Sequence, residues 1–176
     1  YQAPVDYRNN LKEILNSYDG FIASSLKLLK DLERIGCKNV IFLPMSVNTK
    51  IFKPVEPVAK YSHDIVFCGN FNNLRTISDI EKYIFPLIKD FDFRIYGSGW
   101  EVFEDELKGI LQGPINPKEL PLLYSSSKIV LSCHSKWHRE NDVPTSRLWE
   151  ALACGAFVIS DELPTAKKIF KDSIVW

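Results

Sequence analysis

Short apolar runs, each sized for one strand, alternate along this chain with amphipathic stretches of helical period. That alternation admits few architectures beyond helices laid on a mainly parallel sheet. Strands are expected over residues 20–23, 40–43, 64–68, 93–96, 111–115, 129–133, 157–160 and 174–176. Between them, Leu74, Ile77, Ile80, Ile84 and Ile88 recur every three or four residues while Glu81, Lys82 and Lys89 fall on other faces, which predicts a helix with one buried stripe. Leu26, Leu29 and Leu32, interleaved with Lys27, Lys30, Asp31 and Arg34, predict a second helix that stops at Gly36. Asn116, Pro117, Lys118 and Glu119 have the make-up of a capped helix start, but Pro121 then falls deeper than a first turn tolerates, which moves the expected start later. The expected fold class is α/β, a Rossmann-like parallel sheet with flanking helices.

One stretch breaks the rhythm. Residues 52–60 hold Pro54 and Pro57 and follow neither period, so they read as a linker. The chain is therefore expected to divide into a small α/β remnant over 1–52, a linker over 53–61 and a larger Rossmann-like unit over 62–176. The strand expected at 174–176 has no helix after it, which suggests a piece of a longer protein.

Charge excludes some functions. Lys and Arg number 22, Asp and Glu 22, for a formal net charge of zero, and no dense basic block occurs. This argues against a nucleic-acid or anionic-membrane partner. No apolar run approaches the roughly 20 residues of a membrane-spanning helix. Cys37, Cys68, Cys133 and Cys154 are widely spaced in mostly apolar surroundings, as thiols of a reducing compartment would be, which implies a cytoplasmic protein.

The chemistry concentrates in residues 141–160, where a polar loop, a short helix, a glycine stop and a buried strand follow in direct succession. A helix opening with Pro144, Thr145, Ser146 and Arg147 offers unpaired backbone N–H groups, two hydroxyls and a guanidinium to an anion, the make-up of a phosphate seat. Glu150 lies near enough to that mouth to accept hydrogen bonds from a hydroxyl-bearing group such as a ribose. Phosphate and sugar together mean a nucleotide. Taken singly, Thr145 and Ser146 are ordinary capping residues, and Arg75 and Arg147 ordinary surface cations; the functional reading rests on their meeting at strand ends.

Two other chemistries are disfavoured. Tyr96, Gly97, Ser98 and Gly99 resemble a dinucleotide fingerprint, but Val102 occupies the place of the third glycine. Residues 133–140 carry two of the three histidines, yet their spacing fits no zinc pattern, so no metal is expected. A better use of that loop is contact with a sugar: Trp137 offers an apolar face to a pyranose while His134 or His138 bonds its hydroxyls. A surface loop with an incidental aromatic accounts for the same residues equally well. His63 reads as structural or exposed.

The succession Asp64-Ile-Val-Phe-Cys-Gly69-Asn70, Phe93-Arg-Ile-Tyr96-Gly97-Ser-Gly99-Trp100, Gly113-Pro114-Ile115, Leu120-Pro-Leu-Leu-Tyr124 and Arg147-Leu-Trp-Glu150-Ala-Leu-Ala-Cys-Gly155 resembles the nucleotide-sugar-binding half of GT-B glycosyltransferases of group 1. The likeness extends to the spore-maturation-protein type, whose relatives carry a similar Glu-Ala-Leu-Ala-Cys-Gly segment. It covers residues 62–176, and residues 42–54 look like the tail of an acceptor domain and the crossover from it. The resemblance implies that Glu150 grips the donor ribose and that Asp142, eight positions earlier, stands where retaining relatives carry a second acidic residue. It implies that Thr145, Ser146 and Arg147 face the diphosphate, that Gly69 and Asn70 let backbone approach phosphate, and that Arg75 supplies a further cation. Gly97, Ile115 and Tyr124 fall near the nucleobase.

Glu150, Arg147 and Asp142 are the expected catalytic residues. The expected substrate is a UDP- or GDP-type sugar, and the expected acceptor a saccharide or other hydroxyl compound. The helix mouth and two arginines balance the two diphosphate charges, so transfer without metal or cofactor is expected. A nucleotide-binding or interaction domain that keeps the fold without turnover is the alternative.

Overall fold

The computed structural model describes residues 15, 17–72 and 75–176. Each expected strand forms except the last. In the first unit, β1 (Phe21–Ala23), α1 (Leu26–Arg34) and β2 (Val40–Phe42) make a parallel βαβ pair. Ser25 caps α1, its hydroxyl accepting the Leu28 N–H at 3.1 Å.

The second unit contains β3 (Ile65–Cys68), β4 (Phe93–Tyr96), β5 (Leu111–Gly113), β6 (Ile129–Ser132) and β7 (Val158–Ser160), all parallel and ordered β5-β4-β3-β6-β7. Its helices are α2 (Ile77–Tyr83), α3 (Leu120–Ser126), α4 (Lys136–Asn141), α5 (Arg147–Ala153) and α6 (Pro164–Phe170). The chain winds outward from β3 to β5, then returns to lay β6 on the other side of β3. Strand order therefore reverses between β3 and β6, the place at whose carboxyl ends open α/β sheets form a ligand crevice. Successive β3 residues feed opposite cores: Ile65 and Phe67 join Ile80, Ile84, Ile95 and Trp100, while Val66 joins Leu123, Val130, Leu148 and Ala151. A strand buried on both faces has to be apolar throughout, which is how β3 reads.

Departures from expectation have local causes. The stripe running to Ile88 gives a helix that stops at Tyr83, because Pro86 lacks an N–H and disfavours helical backbone at Phe85. Ile84 is fully buried all the same, and Leu74 lies outside the described residues. A 3₁₀ turn over Pro117–Glu119, capped by Asn116, precedes α3, so Pro121 comes to rest in the first turn of the helix, where it is tolerated. Residues 174–176 contribute one parallel bridge, Val175 to Ile159, at the β7 edge. The proline-bearing stretch is tied down: the Val55 and Val58 N–H groups donate to the Ser125 and Ser126 hydroxyls at 3.2 and 2.9 Å.

Candidate functional site

The crevice floor is built from two interlocked turns. Gly69 follows β3 and its N–H donates to the Tyr96 carbonyl at 2.8 Å; Gly97 follows β4 with φ +148° and the Gly69 carbonyl packed against it. A Cβ on Gly97 would collide with that carbonyl, and one on Gly69 would enter the Arg147 guanidinium. Asn70 locks the pair, its Oδ1 accepting the Ser98 N–H at 2.9 Å, and the Trp100 indole donates to the Gly69 carbonyl at 2.7 Å.

Two guanidiniums converge on this floor. Arg147, the first residue of α5, donates through Nε to the Cys68 carbonyl and through Nη1 to Ser132 Oγ at 3.5 Å. Arg75 donates to the Cys133 carbonyl at 3.1 Å and to its Sγ at 3.4 Å. Both lie over the Phe67 ring, 4.4 and 5.0 Å from its centroid, within cation–π range. Each is only 8% exposed, and neither has a carboxylate ion-pair partner among the described residues. Burial pushes the Arg75 pKa below the ordinary arginine value, and the Arg147 charge pushes the same way against the opposing Cys133. Among the described residues, the buried side-chain polar atoms without a hydrogen-bond partner are Arg75 Nε, Thr145 Oγ1 and Asp161 Oδ2, all in this region. Buried cations without counter-charge are costly, so this arrangement favours any anion that enters the crevice.

Glu150 lies one turn along α5 from Arg147 and is half-buried, with the Tyr124 hydroxyl of α3 directed at its Oε2 from 3.5 Å. Burial, and secondarily Cys68, raises the Tyr124 pKa well above the usual phenol range, so it remains a donor. Burial likewise raises the Cys68 thiol against the pull of Arg147. Gly69 thus adjoins the Arg147 guanidinium, and Tyr124 meets Glu150. Gly97 lines a cavity of about 260 Å³ with Trp100, Glu101 and Lys108, and Ile115 lines a hollow with Tyr96, Lys60 and Glu119.

The helix mouth differs from expectation, because α5 begins at Arg147 and not at Pro144. Thr145 and Ser146 form a turn before it, and the Thr145 N–H is already taken by His134 Nε2 at 3.2 Å. His134 is fully buried, with Nδ1 2.6 Å from Asp161 Oδ1, which leaves neither ring nitrogen for a sugar. His138 Nδ1 and Ser135 Oγ share a hydrogen bond at 2.6 Å, and the His138 pKa is pulled down to about 4, by burial first and then by His134, Arg75 and Arg147. Trp137 is 43% exposed and lines a cavity with Ser24, Ser25 and Leu28, at the junction with α1. His63 pairs with Asp92 at 2.9 Å.

Asp142 is buried in left-handed backbone, φ +53°, and accepts from the Thr165 N–H at 2.9 Å and its hydroxyl at 2.6 Å. Both oxygens are spent on bracing α4 against α6. Asp161 was missed by sequence reasoning, although a carboxylate directly after the β7 strand was a readable signal. The Asp79–Arg139 pair was also missed; it links α2 to α4. No three His, Cys, Asp or Glu side chains group as a metal site among the described residues, and no described helix is long and apolar enough to cross a membrane.

Residues 75–175, over half of the chain, match the family described as glycosyl transferase-like. No curated protein matches the chain. Among solved structures, sucrose-phosphate synthase from Thermosynechococcus elongatus is similar at TM-score 0.63 and 19% identity, over 96% of this chain and 48% of that one. An S. aureus TarM mutant in complex with Fondaparinux, alpha-GlcNAc-glycerol and UDP is similar at TM-score 0.65 and 18% identity, over 94% and 34%. Anabaena HepE in complex with UDP and glucose is similar at 0.63 and 13%, over 92% and 50%. At these identities the likeness shows the fold, and the chain spans about a third to a half of each structure.

Proposed function

Because the chain belongs to the glycosyl transferase-like family, we propose that it carries the donor site of a metal-independent glycosyltransferase, which moves a sugar from a UDP- or GDP-type donor to a hydroxyl acceptor such as a saccharide. The observation that carries this reading is the pair of buried guanidiniums, without a carboxylate ion-pair partner among the described residues, at the strand-order reversal. The UDP in the TarM and HepE structures supports a nucleoside diphosphate as the anion. In this reading residues 62–176 bind donor, residues 1–52 belong to an acceptor domain and its crossover, and the segment from Glu150 to Gly155 supports the spore-maturation-protein type. Its free cysteines suit a reducing, cytoplasmic setting.

The chemistry follows from charge. As the bond from the anomeric carbon to the diphosphate oxygen breaks, its electron pair stays on the diphosphate, the acceptor hydroxyl oxygen bonds to that carbon, and the hydroxyl proton passes to the departing diphosphate oxygen. Arg75 and Arg147 stabilise the growing negative charge from buried positions, with no cofactor. Glu150, held by Tyr124, accepts the ribose hydroxyls. Asp142 acts on the site only through the brace it forms with Thr165.

Calorimetric titration tests the assignment. Glu150→Ala is expected to weaken UDP and uridine alike by about 10- to 100-fold, roughly 1.5 to 3 kcal/mol, whereas Arg75→Gln weakens UDP and spares uridine. Unchanged affinity in the Glu150 variant removes that residue from the site. Consumption of the sugar nucleotide then separates an enzyme from a domain that only binds.

A further inference from the structure

The loop after β6 holds a chain of contacts that the donor site does not account for. His134 is fully buried, and its two ring nitrogens face different partners: Asp161 Oδ1 at 2.6 Å from Nδ1, and the Thr145 N–H at 3.2 Å from Nε2. A backbone N–H can only donate, so Nε2 must be the acceptor and the ring proton must sit on Nδ1, facing Asp161. Asp161 is itself held: its Oδ1 also accepts the His134 N–H at 2.9 Å, and Arg139 stands 3.6 Å from its Oδ2. Arg139 in turn donates to the His134 carbonyl and to Asp79. An anchored carboxylate therefore selects one imidazole tautomer, and that tautomer grips the turn two residues before Arg147.

We infer that His134, oriented by Asp161, is a positioning residue for the diphosphate site: it holds the Thr145 turn so that the Arg147 guanidinium, two residues on, faces the anion. The inference rests on the donor-site reading above and gives His134 a role other than sugar contact. His134 touches no substrate. Its effect is on phosphate geometry, and the ribose contact of Glu150, a turn further along α5, is left alone.

Two substitutions divide the two hydrogen bonds in the 176-residue chain. His134→Gln extends a carbonyl oxygen to the place of Nε2 and can accept the Thr145 N–H; His134→Asn keeps an N–H for Asp161 but reaches nothing at Thr145. Titrated with UDP and with uridine, His134→Gln is expected to stay within about threefold of wild type, and His134→Asn to lose about tenfold or more for UDP with uridine unchanged. Thr145→Pro deletes the same N–H from the other side and is expected to repeat the UDP loss should His134→Asn fail to fold. Equal UDP affinity in the Asn and Gln variants, or parallel losses for UDP and uridine that track melting temperature, overturns the positioning role. Arg75→Gln separates the two levels. If it weakens UDP while the His134 variants do not, the donor site stands and the positioning role falls; if it leaves UDP untouched, both fall.

Discussion

At the scale of single residues, His138 shows what burial, and secondarily a cationic neighbourhood, does to an imidazole. Its pKa is drawn from the ordinary 6.5 to about 4, so on acidification the unfolded chain takes up this proton first. The stabilising contribution of its neutral form is intact above about pH 6.5 and is lost as pH falls towards 4. Partial solvent contact reduces the effect to about 1 to 2 kcal/mol. Urea denaturation at pH 7 and pH 4.5 is expected to show a smaller stability loss for His138→Asn than for wild type; equal losses would contradict it. Residue chemistry was legible where partners share an element or adjoining strand ends, as with Arg147 and Glu150 on α5. It was not legible for His134 with Asp161, or Asp142 with Thr165, because those partners stand 27 and 23 residues apart and meet only through the fold.

Among the elements, α2 depends on a single carboxylate. Asp79 is buried and accepts the Thr76 N–H at 2.9 Å, closing the first turn, while its other oxygen receives Arg139 from α4. Asp79→Ala removes the cap and leaves Arg139 short of a partner, with an expected cost of about 3 kcal/mol in denaturant unfolding. A cost no larger than that of an ordinary surface substitution would show that the pair contributes nothing. Strand positions were readable because apolar runs between turn residues mark them directly, with ends shifted by a residue or two. Helix lengths were less so: the stripe from Ile77 to Ile88 kept its period across Pro86, and the period alone could not register the missing N–H that ends α2 at Tyr83.

In the whole molecule, Thr165 joins the two units. It is fully buried, its hydroxyl accepts the Leu26 N–H at 2.8 Å from the start of α1, and it donates to Asp142. Thr165→Val keeps the shape and strands both partners. Amide exchange in α1 and β1 is expected to quicken about tenfold, equivalent to about 1.4 kcal/mol, while β3 and β6 keep their protection. Uniform acceleration would mean instead that the units open together. The α/β class and the parallel sheet were legible from alternation, but this joint was not, since neither Leu26 nor Thr165 carries any mark of the other in its neighbourhood.

The two guanidiniums over Phe67 have a last consequence. While the crevice is empty they repel one another, and that repulsion is a debt of the resting protein which any polyanion discharges. Inorganic phosphate or sulfate in a buffer is thus a rival of the proposed nucleotide, so heat resistance measured in phosphate reports the protein together with its solvent.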